Sequence, residues 1–327
     1  MAELLIVRAG MLTTVQDAGR WGYQSSGVAV AGPMDPCAHR LANALVGNDA
    51  GAAALEITLI GPELAFEDAR TFAIAGADFE ATLDGAPVPL HAPVAAAAGS
   101  RLRVGARRRG TRAAIAIAGG IETPPVLGSR ATHLLSGMGG FEGRALRAGD
   151  RLALGDPRSI TQAAASGRVA SAQATGVIRL PDPGGSPATI RVLPGPQADL
   201  FAPQALAILQ AAPYAVADQS NRMGFRLQGA ALPHRNGADI ISDATPLGVL
   251  QVPASGQPIL LMADRQTTGG YPKIATVIAA DIGLAGQLGP GDRLRFVVCS
   301  PREAMAALIA QERAMMTVEG ATRKTRP

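Results

Sequence analysis

Nine apolar runs mark this chain: Leu4–Val7, Leu55–Ile60, Thr71–Ala75, Ala113–Ala118, Thr189–Leu193, Leu247–Val252, Pro258–Met262, Ile274–Ala279 and Leu294–Val298. None is longer than six residues, and all but the first have Gly, Pro or Asp within two residues of an end. Runs of that length are too short for buried helices and read as strands. Apolar residues are 47% of 327, enough for a full core, and aromatics are only 3%, so Ala, Val, Leu and Ile must fill it. Helices are few. Asp35 can cap one with Pro36 at its first position and a stripe of Ala38, Leu41, Ala42 and Leu45. Ser300-Pro301-Arg302-Glu303 reads as a capping box opening another, and Pro203–Ala211 suggests a third.

One phrase recurs as Gly99-Ser100-Arg101-Leu102, Gly149-Asp150-Arg151-Leu152 and Gly291-Asp292-Arg293-Leu294, each a tight turn feeding a strand. Asp84-Gly85 reads as a hairpin turn. The last two recurrences each close a half of the chain, which predicts two related β-rich domains at 1–155 and 189–317. The stretch 156–188, rich in Ala, Ser, Gly and Pro, is expected to be a linker or excursion, and 318–327 a basic tail.

The formal net charge is +4, and part of it lies in the tail. The run Arg107-Arg108-Arg109 has no interleaved aromatics and reads as a solvated hairpin tip, so no nucleic-acid partner is expected. Cys37 and Cys299 make neither a disulfide framework nor a zinc site, and the four histidines are scattered, so no metal is expected. The opening MAELLIVRAG lacks a leader-like apolar stretch, and no run of about 18 apolar residues occurs. A cytoplasmic protein with reduced thiols and no membrane partner is expected. There is no G-x-x-x-x-G-K-[ST] and no G-x-S-x-G. Lys273 lies in Pro-Lys-Ile, so this chain shows no biotin-attachment sequence of its own.

Four polar segments adjoin the strands: Thr13–Arg20, Gly32–Asp35 with the helix carrying Asn43, Ser220–Arg226, and Asp264–Lys273. In the last, Gly269-Gly270 lets backbone N–H groups approach a ligand. Thr267 and Thr268 add hydroxyls, Asp264 a base or acceptor, and Arg265 and Lys273 positive charge for a carboxylate or oxyanion. Each segment also has a plainer reading in which its polar groups serve local backbone: a Gly-Gly turn at 269–270, a self-held turn at Thr13–Arg20, a helix cap at Asp35, and likewise a purely structural role for Ser220–Arg226.

In this order, the stretches TTVQDAGRWGYQ, GPMDPCAHRLANALVGN, ALEITLIGPELAF, AIAGGI, GSRATHLLSGMGGFEGRALRAGD, SNRMGFRLQG, GVLQVPASGQPILLMADRQTTGGYPKIATVIAADI and PGDRLRF resemble the biotin-dependent carboxyltransferase family, also called allophanate hydrolase subunit 2. That family includes the carboxyltransferase region of urea carboxylase, the C-type subunit of ATP-dependent 5-oxoprolinase, and an antagonist of a sporulation kinase inhibitor. The resemblance implies a mainly β (α+β) fold of two cyclophilin-like β-barrel domains with a few short helices. It implies a small amide substrate and two partners. One is an allophanate hydrolase subunit 1-like protein, the B-type subunit of 5-oxoprolinase, and the other resembles the A-type subunit of that enzyme. ATP would bind on a partner or at an interface. The activity implied is opening of 5-oxo-L-proline to L-glutamate, with carboxyl transfer from carboxybiotin to urea or a related amide as the second reading. A regulatory binding protein that antagonises a kinase inhibitor is the third.

For a lactam, the expected catalytic residues are Asp264 to orient or accept a proton, Thr268 with the backbone N–H groups of Gly269-Gly270 at the oxyanion, and Lys273, with Arg222 as the alternative, at the substrate carboxylate. The expected binding residues are Asn221, Arg222, Arg226, Arg265, Gln266, Thr267, Gly269, Gly270 and Tyr271, with Gln16, Asp17, Arg20, Asp35 and Asn43 as secondary candidates. Two departures stand out. The family's G-S-R-S-T-Y reads Gly128-Ser129-Arg130-Ala131-Thr132-His133 here, and Ser242-Asp243-Ala244-Thr245 replaces a Gly-containing turn.

Overall fold

The computed structural model describes residues 2–157, 176–182 and 184–322. Most of the expected linker, and residues 323–327 of the expected tail, lie outside the described residues. The chain forms two compact units: Met1–Arg20, Ala31–Leu180 and Gln311–Pro327 make the first, and Trp21–Val30 and Pro181–Ala310 the second.

The first unit is built on one nine-stranded sheet. Its strands are β1 (Glu3–Arg8), β2 (Leu12–Gln16), β3 (Ala54–Thr58), β4 (Glu63–Phe66), β5 (Arg70–Leu83), β6 (Ala86–Pro87), β7 (Pro93–Ala96), β8 (Arg101–Ile117) and β9 (Arg151–Ala153). The path runs β2-β3-β8-β4-β1-β9, with β5 paired to β6, β7 and β8. It curls as a half-barrel. The long β5 and β8 pair with register shifts at Gly76, Asp78 and Phe79, which is how a strand of this length bends. Leu4, Ile6, Leu55, Ile57, Leu102 and Ile115 are fully buried in its core, each worth roughly 1.5–3 kcal/mol of transfer from water. The Arg107-Arg108-Arg109 run lies inside β8 and not at a hairpin tip, because β8 continues through it to pair with β5.

Helix α1 (Pro36–Leu45) starts where expected, with Asp35 accepting from the Ala38 N–H at 3.0 Å. Its buried face, Leu41, Ala42 and Leu45, packs with Ala73 and Ala75 of β5 and Ala114 and Ala116 of β8. Alanines on the sheet let the helix approach closely.

The second unit holds β10 (Ala188–Pro194), β11 (Tyr214–Val216), β12 (Gly224–Gln228), β13 (Asp243–Ala244), β14 (Val249–Gln251), β15 (Ile259–Leu261), β16 (Thr268–Gly269), β17 (Lys273–Val277) and β18 (Arg293–Val298). Seven close a barrel in the order β10-β17-β14-β15-β12-β11-β18. All pairs are antiparallel except β10 with β18, which is parallel. Ile190, Val192, Tyr214, Leu250, Leu260, Leu294 and Phe296 are fully buried. Along β18, Leu294 and Phe296 are buried between exposed Arg293 and Arg295, the period-two alternation of a strand with one wet face. Strands β13 and β16 form a separate two-stranded ladder.

Helices α2 (Ala205–Ala211) and α3 (Ile282–Gly286) are short. Helix α4 (Pro301–Thr322) opens on the predicted capping box: the Glu303 N–H donates to Ser300 Oγ at 3.2 Å and the Ser300 N–H to Glu303 Oε2 at 2.7 Å. It continues through 318–322, so that part of the expected tail is helical. Among the described residues no helix is long and apolar enough to cross a membrane.

Candidate active site

A cleft of about 570 Å³ opens on the outer face of the barrel, over β12, β15 and β14. Its floor is Gly224, Ile259 and Leu261, and its walls carry Gln219, Asn221, Arg226, Gln251, Gln266 and Tyr271. Gly269 and Gly270, at the end of the β13–β16 ladder, complete the rim. The polar lining is therefore mainly neutral carboxamide.

Gln251 organises this wall. It is buried on β14, its Nε2 donates to the Tyr271 carbonyl at 3.3 Å, and its Oε1 accepts from Gln266 Nε2 at 3.2 Å. One side chain thus ties β14 to both ends of the segment 266–271. A Cβ at Gly269 would sit 2.5 Å from Gln251 Nε2, so a side chain there would displace that carboxamide. Asn221 Oδ1 accepts from the Met223 N–H at 2.8 Å, so its amide nitrogen is the end left for the cleft.

The sequence candidates separate into two groups. Asn221, Arg226, Gln266, Gly269, Gly270 and Tyr271 line the cleft. Asp264, Arg222, Arg265, Thr267, Thr268 and Lys273 do not. Both oxygens of buried Asp264 accept from buried Arg222, at 3.0 Å from Nε and 2.9 Å from Nη2. That bidentate pair occupies the carboxylate expected to take a proton and one of the two cations expected to hold a carboxylate. Arg265 is also turned inward. Its Nε donates to the Thr245 carbonyl at 2.8 Å, and burial lowers its pKa. The Thr267 carbonyl accepts from the Thr245 N–H at 3.0 Å, and Thr245 Oγ1 donates to the Gln266 carbonyl. Exposed Thr268 pairs with Ala244 in the β13–β16 ladder.

Lys273 is 1% exposed, with its Nζ 2.9 Å from Asp243 Oδ2, and its ammonium holds the Asp243 carboxyl below the usual range. Gln197 links the same two residues, donating to Asp243 at 3.2 Å and accepting from the Lys273 N–H at 3.2 Å. The unusual Ser242–Thr245 turn thus supplies the counter-charge for the buried lysine.

The secondary candidates belong to the first unit and are engaged in its scaffold. Asp17 accepts from Ser129 Oγ at 2.6 Å, from the Arg130 N–H at 2.5 Å and from the Gly19 N–H at 2.9 Å. Gln16 donates to Thr14 and to the Thr132 carbonyl, and buried Arg20 donates to the Val126 and Ala131 carbonyls. Asp35 is the cap of α1. Asn43 donates to the Ala52 carbonyl at 2.9 Å and to His39 Nε2 at 3.1 Å, and accepts from Asn48 at 3.0 Å. His133, where the family has Tyr, is buried with Nδ1 2.7 Å from Ser136 Oγ.

Gln219 and Gln251 were missed in the sequence. Gln251 carried a signal, since it is the one amide inside the otherwise apolar run Leu247–Val252.

A closed barrel and a curled sheet, with an amide-lined cleft on the barrel wall, define a small-molecule enzyme component. Residues 26–298 match the family described as carboxyltransferase domain, subdomain A and B, and the chain belongs to that family. It is 44% identical over 310 residues to the 5-oxoprolinase C subunit of Escherichia coli, covering 95% of this chain and 96% of that protein. It is 36% identical to the 5-oxoprolinase C subunit of Haemophilus influenzae, covering 93% of each. The crystal structure of the K. lactis urea amidolyase superposes with a TM-score of 0.88 at 32% identity, covering 99% of this chain and 20% of that one.

Proposed function

We propose that this chain is the substrate-reading component of a cytoplasmic, ATP-dependent 5-oxoprolinase. It would assemble with an allophanate hydrolase subunit 1-like (B-type) protein and an A-type protein of the same enzyme. The reaction adds water across the lactam C–N bond and yields one new carboxylate and one amine. The observation that carries this reading is the carboxamide lining of the barrel cleft, joined to similarity with two 5-oxoprolinase C subunits along nearly their whole length.

A lactam is a poor electrophile because resonance spreads its nitrogen lone pair into the carbonyl. It presents one N–H donor and one C=O acceptor in a fixed plane. The carboxamides of Gln251, Gln266 and Asn221 offer the complementary acceptor and donor, and the mutual bonds of Gln251 hold it in place. Prealigned donors at the carbonyl oxygen stabilise charge as it develops there. Among the described residues no carboxylate lines the cleft, so the proton acceptor is assigned to a partner protein. The cleft does not suit a triphosphate either, since among the described residues Arg226 is the one cation lining it. ATP is therefore placed on a partner, and no step on this chain is routed through it.

The test is ATP-dependent formation of L-glutamate by the complex purified with its A-type and B-type partners. Gln251→Ala should lower kcat/KM about 10- to 100-fold, because it strands the Gln266 amide and the Tyr271 carbonyl, while assembly by gel filtration is retained. An assembled complex that forms no glutamate would sink the proposal.

Similarity to the urea amidolyase supports a second reading, carboxyl transfer to urea, since neutral carboxamides also suit that ligand. Urea-dependent consumption of carboxybiotin by this chain would favour it.

A further inference from the structure

Strand register places three side chains in one row across the cleft. Arg226 of β12 is paired directly with Ile259 of β15, and Gln251 of β14 is paired with the same Ile259. Directly opposed residues point to the same face of a sheet, and adjacent strands lie ~4.8 Å apart. The backbones of Arg226 and Gln251 are therefore about 10 Å apart, with Ile259 between them. All three side chains line the cleft. The row reads cation, apolar, carboxamide. One step along, Gly224 is paired with Leu261 and adds no side chain, which keeps the floor beside Arg226 low.

Arg226 differs from the other basic residues nearby. Arg222 is paired with Asp264, Lys273 with Asp243, and Arg265 is held by backbone carbonyls. Arg226 is exposed on an outward position of β12, and among the described residues no carboxylate pairs with it. Its own backbone N–H is fixed by Ser220 Oγ at 3.1 Å. A guanidinium fork left open on the wall of a cleft matches a carboxylate.

We propose that Arg226 is the specificity-determining residue of this cleft. Its guanidinium receives the carboxylate of a five-membered lactam whose methylenes lie over Ile259 and whose amide reaches Gln251 and Gln266. This rests on the lactam-opening reading above and adds to it the residue that reads the carboxylate beside the amide. A neutral urea would satisfy the carboxamides and leave the guanidinium without its anion. A site built for a polar group discriminates strongly against an analogue that lacks it.

The experiment compares kcat/KM of the assembled complex for 5-oxo-L-proline and for 2-pyrrolidone, the same ring without its carboxylate. Wild type, Arg226→Gln and Arg226→Lys are measured, with thermal melts of each. Arg226→Gln should lower kcat/KM for 5-oxo-L-proline about 10- to 100-fold, chiefly through KM, and change that for 2-pyrrolidone less than about 3-fold. Arg226→Lys, which keeps the charge without the fork, should fall between. Equal losses for both compounds, or an unchanged preference in both variants with normal melts, overturn the role of Arg226 alone. A wild-type complex that does not turn over 5-oxo-L-proline overturns the lactam reading and this inference with it.

Discussion

The Arg222–Asp264 pair shows how a carboxylate expected to meet substrate can instead be held by a buried guanidinium of the same chain. Both partners are buried, and their contact joins positions 42 residues apart. Asp264→Asn leaves a buried guanidinium short of its carboxylate, which should cost about 3–5 kcal/mol in urea unfolding. If Asp264→Asn instead unfolds like wild type and loses only turnover, the carboxylate acts in the chemistry after all. His39 sets a second prediction at this scale. Burial lowers its pKa from 6.5 to about 4, and accepting a hydrogen bond from Asn43 requires Nε2 to be unprotonated. The unfolded chain binds the proton first as pH falls. The stabilisation is thus present above about 6.5 and lost progressively toward 4. Between pH 7.5 and 5 the loss should be about 2 kcal/mol, and His39→Gln should flatten the dependence in urea melts at the two pH values. The candidates at 264–273 were legible as a polar cluster next to a strand. Which of them face the cleft was not, because composition does not say which guanidinium meets which carboxylate.

Elements were more legible where the rules are local. Each recurring Gly-x-Arg-Leu phrase starts its strand at the arginine, β8 at Arg101, β9 at Arg151 and β18 at Arg293, with Gly99, Gly149 and Gly291 at positive φ. Asp84 and Gly85, both at positive φ, form the two-residue turn between β5 and β6. The capping box of α4 formed as written. Strand register is non-local, so the row Arg226–Ile259–Gln251 was invisible until the barrel closed. The β13–β16 ladder gives the test at this scale. Gly269→Ala would drive its methyl into Gln251 Nε2 at 2.5 Å and Thr245 Cγ2 at 3.2 Å. The Gln251 carboxamide must then move, and displacement of a positioning group by about 1 Å costs on the order of 100-fold in rate. Turnover by Gly269→Ala should fall by that order while the barrel's amide exchange in β12, β14 and β15 is unchanged. Loss of exchange protection throughout the barrel would place the defect in folding.

At the scale of the molecule, the two units exchange chain segments. Trp21–Val30 belongs with the C-terminal unit and Gln311–Pro327 with the N-terminal one, although α4 is a single unbroken helix. Nothing in the amphipathic pattern of α4 announces the change of company at 311. The contacts make it plain. Met315 and Val318 are buried in the same cluster as Leu41, Leu45 and Val46, and Arg40 of α1 bonds both Glu312 and Glu319 at 2.7 Å. Two buried apolar side chains are worth roughly 1.5–3 kcal/mol each, and these half-buried ion pairs add about 1 kcal/mol apiece. Ending the chain after Ala310 should therefore destabilise the first unit by several kcal/mol through α1, with the second unit's barrel left intact. Hydrogen exchange reads the two separately. Protection should drop in α1 and in the β5 and β8 residues beneath it, and persist in β10, β14 and β18. Undiminished protection of α1 in the shortened chain would mean that the second half of α4 contributes nothing to the unit it packs against.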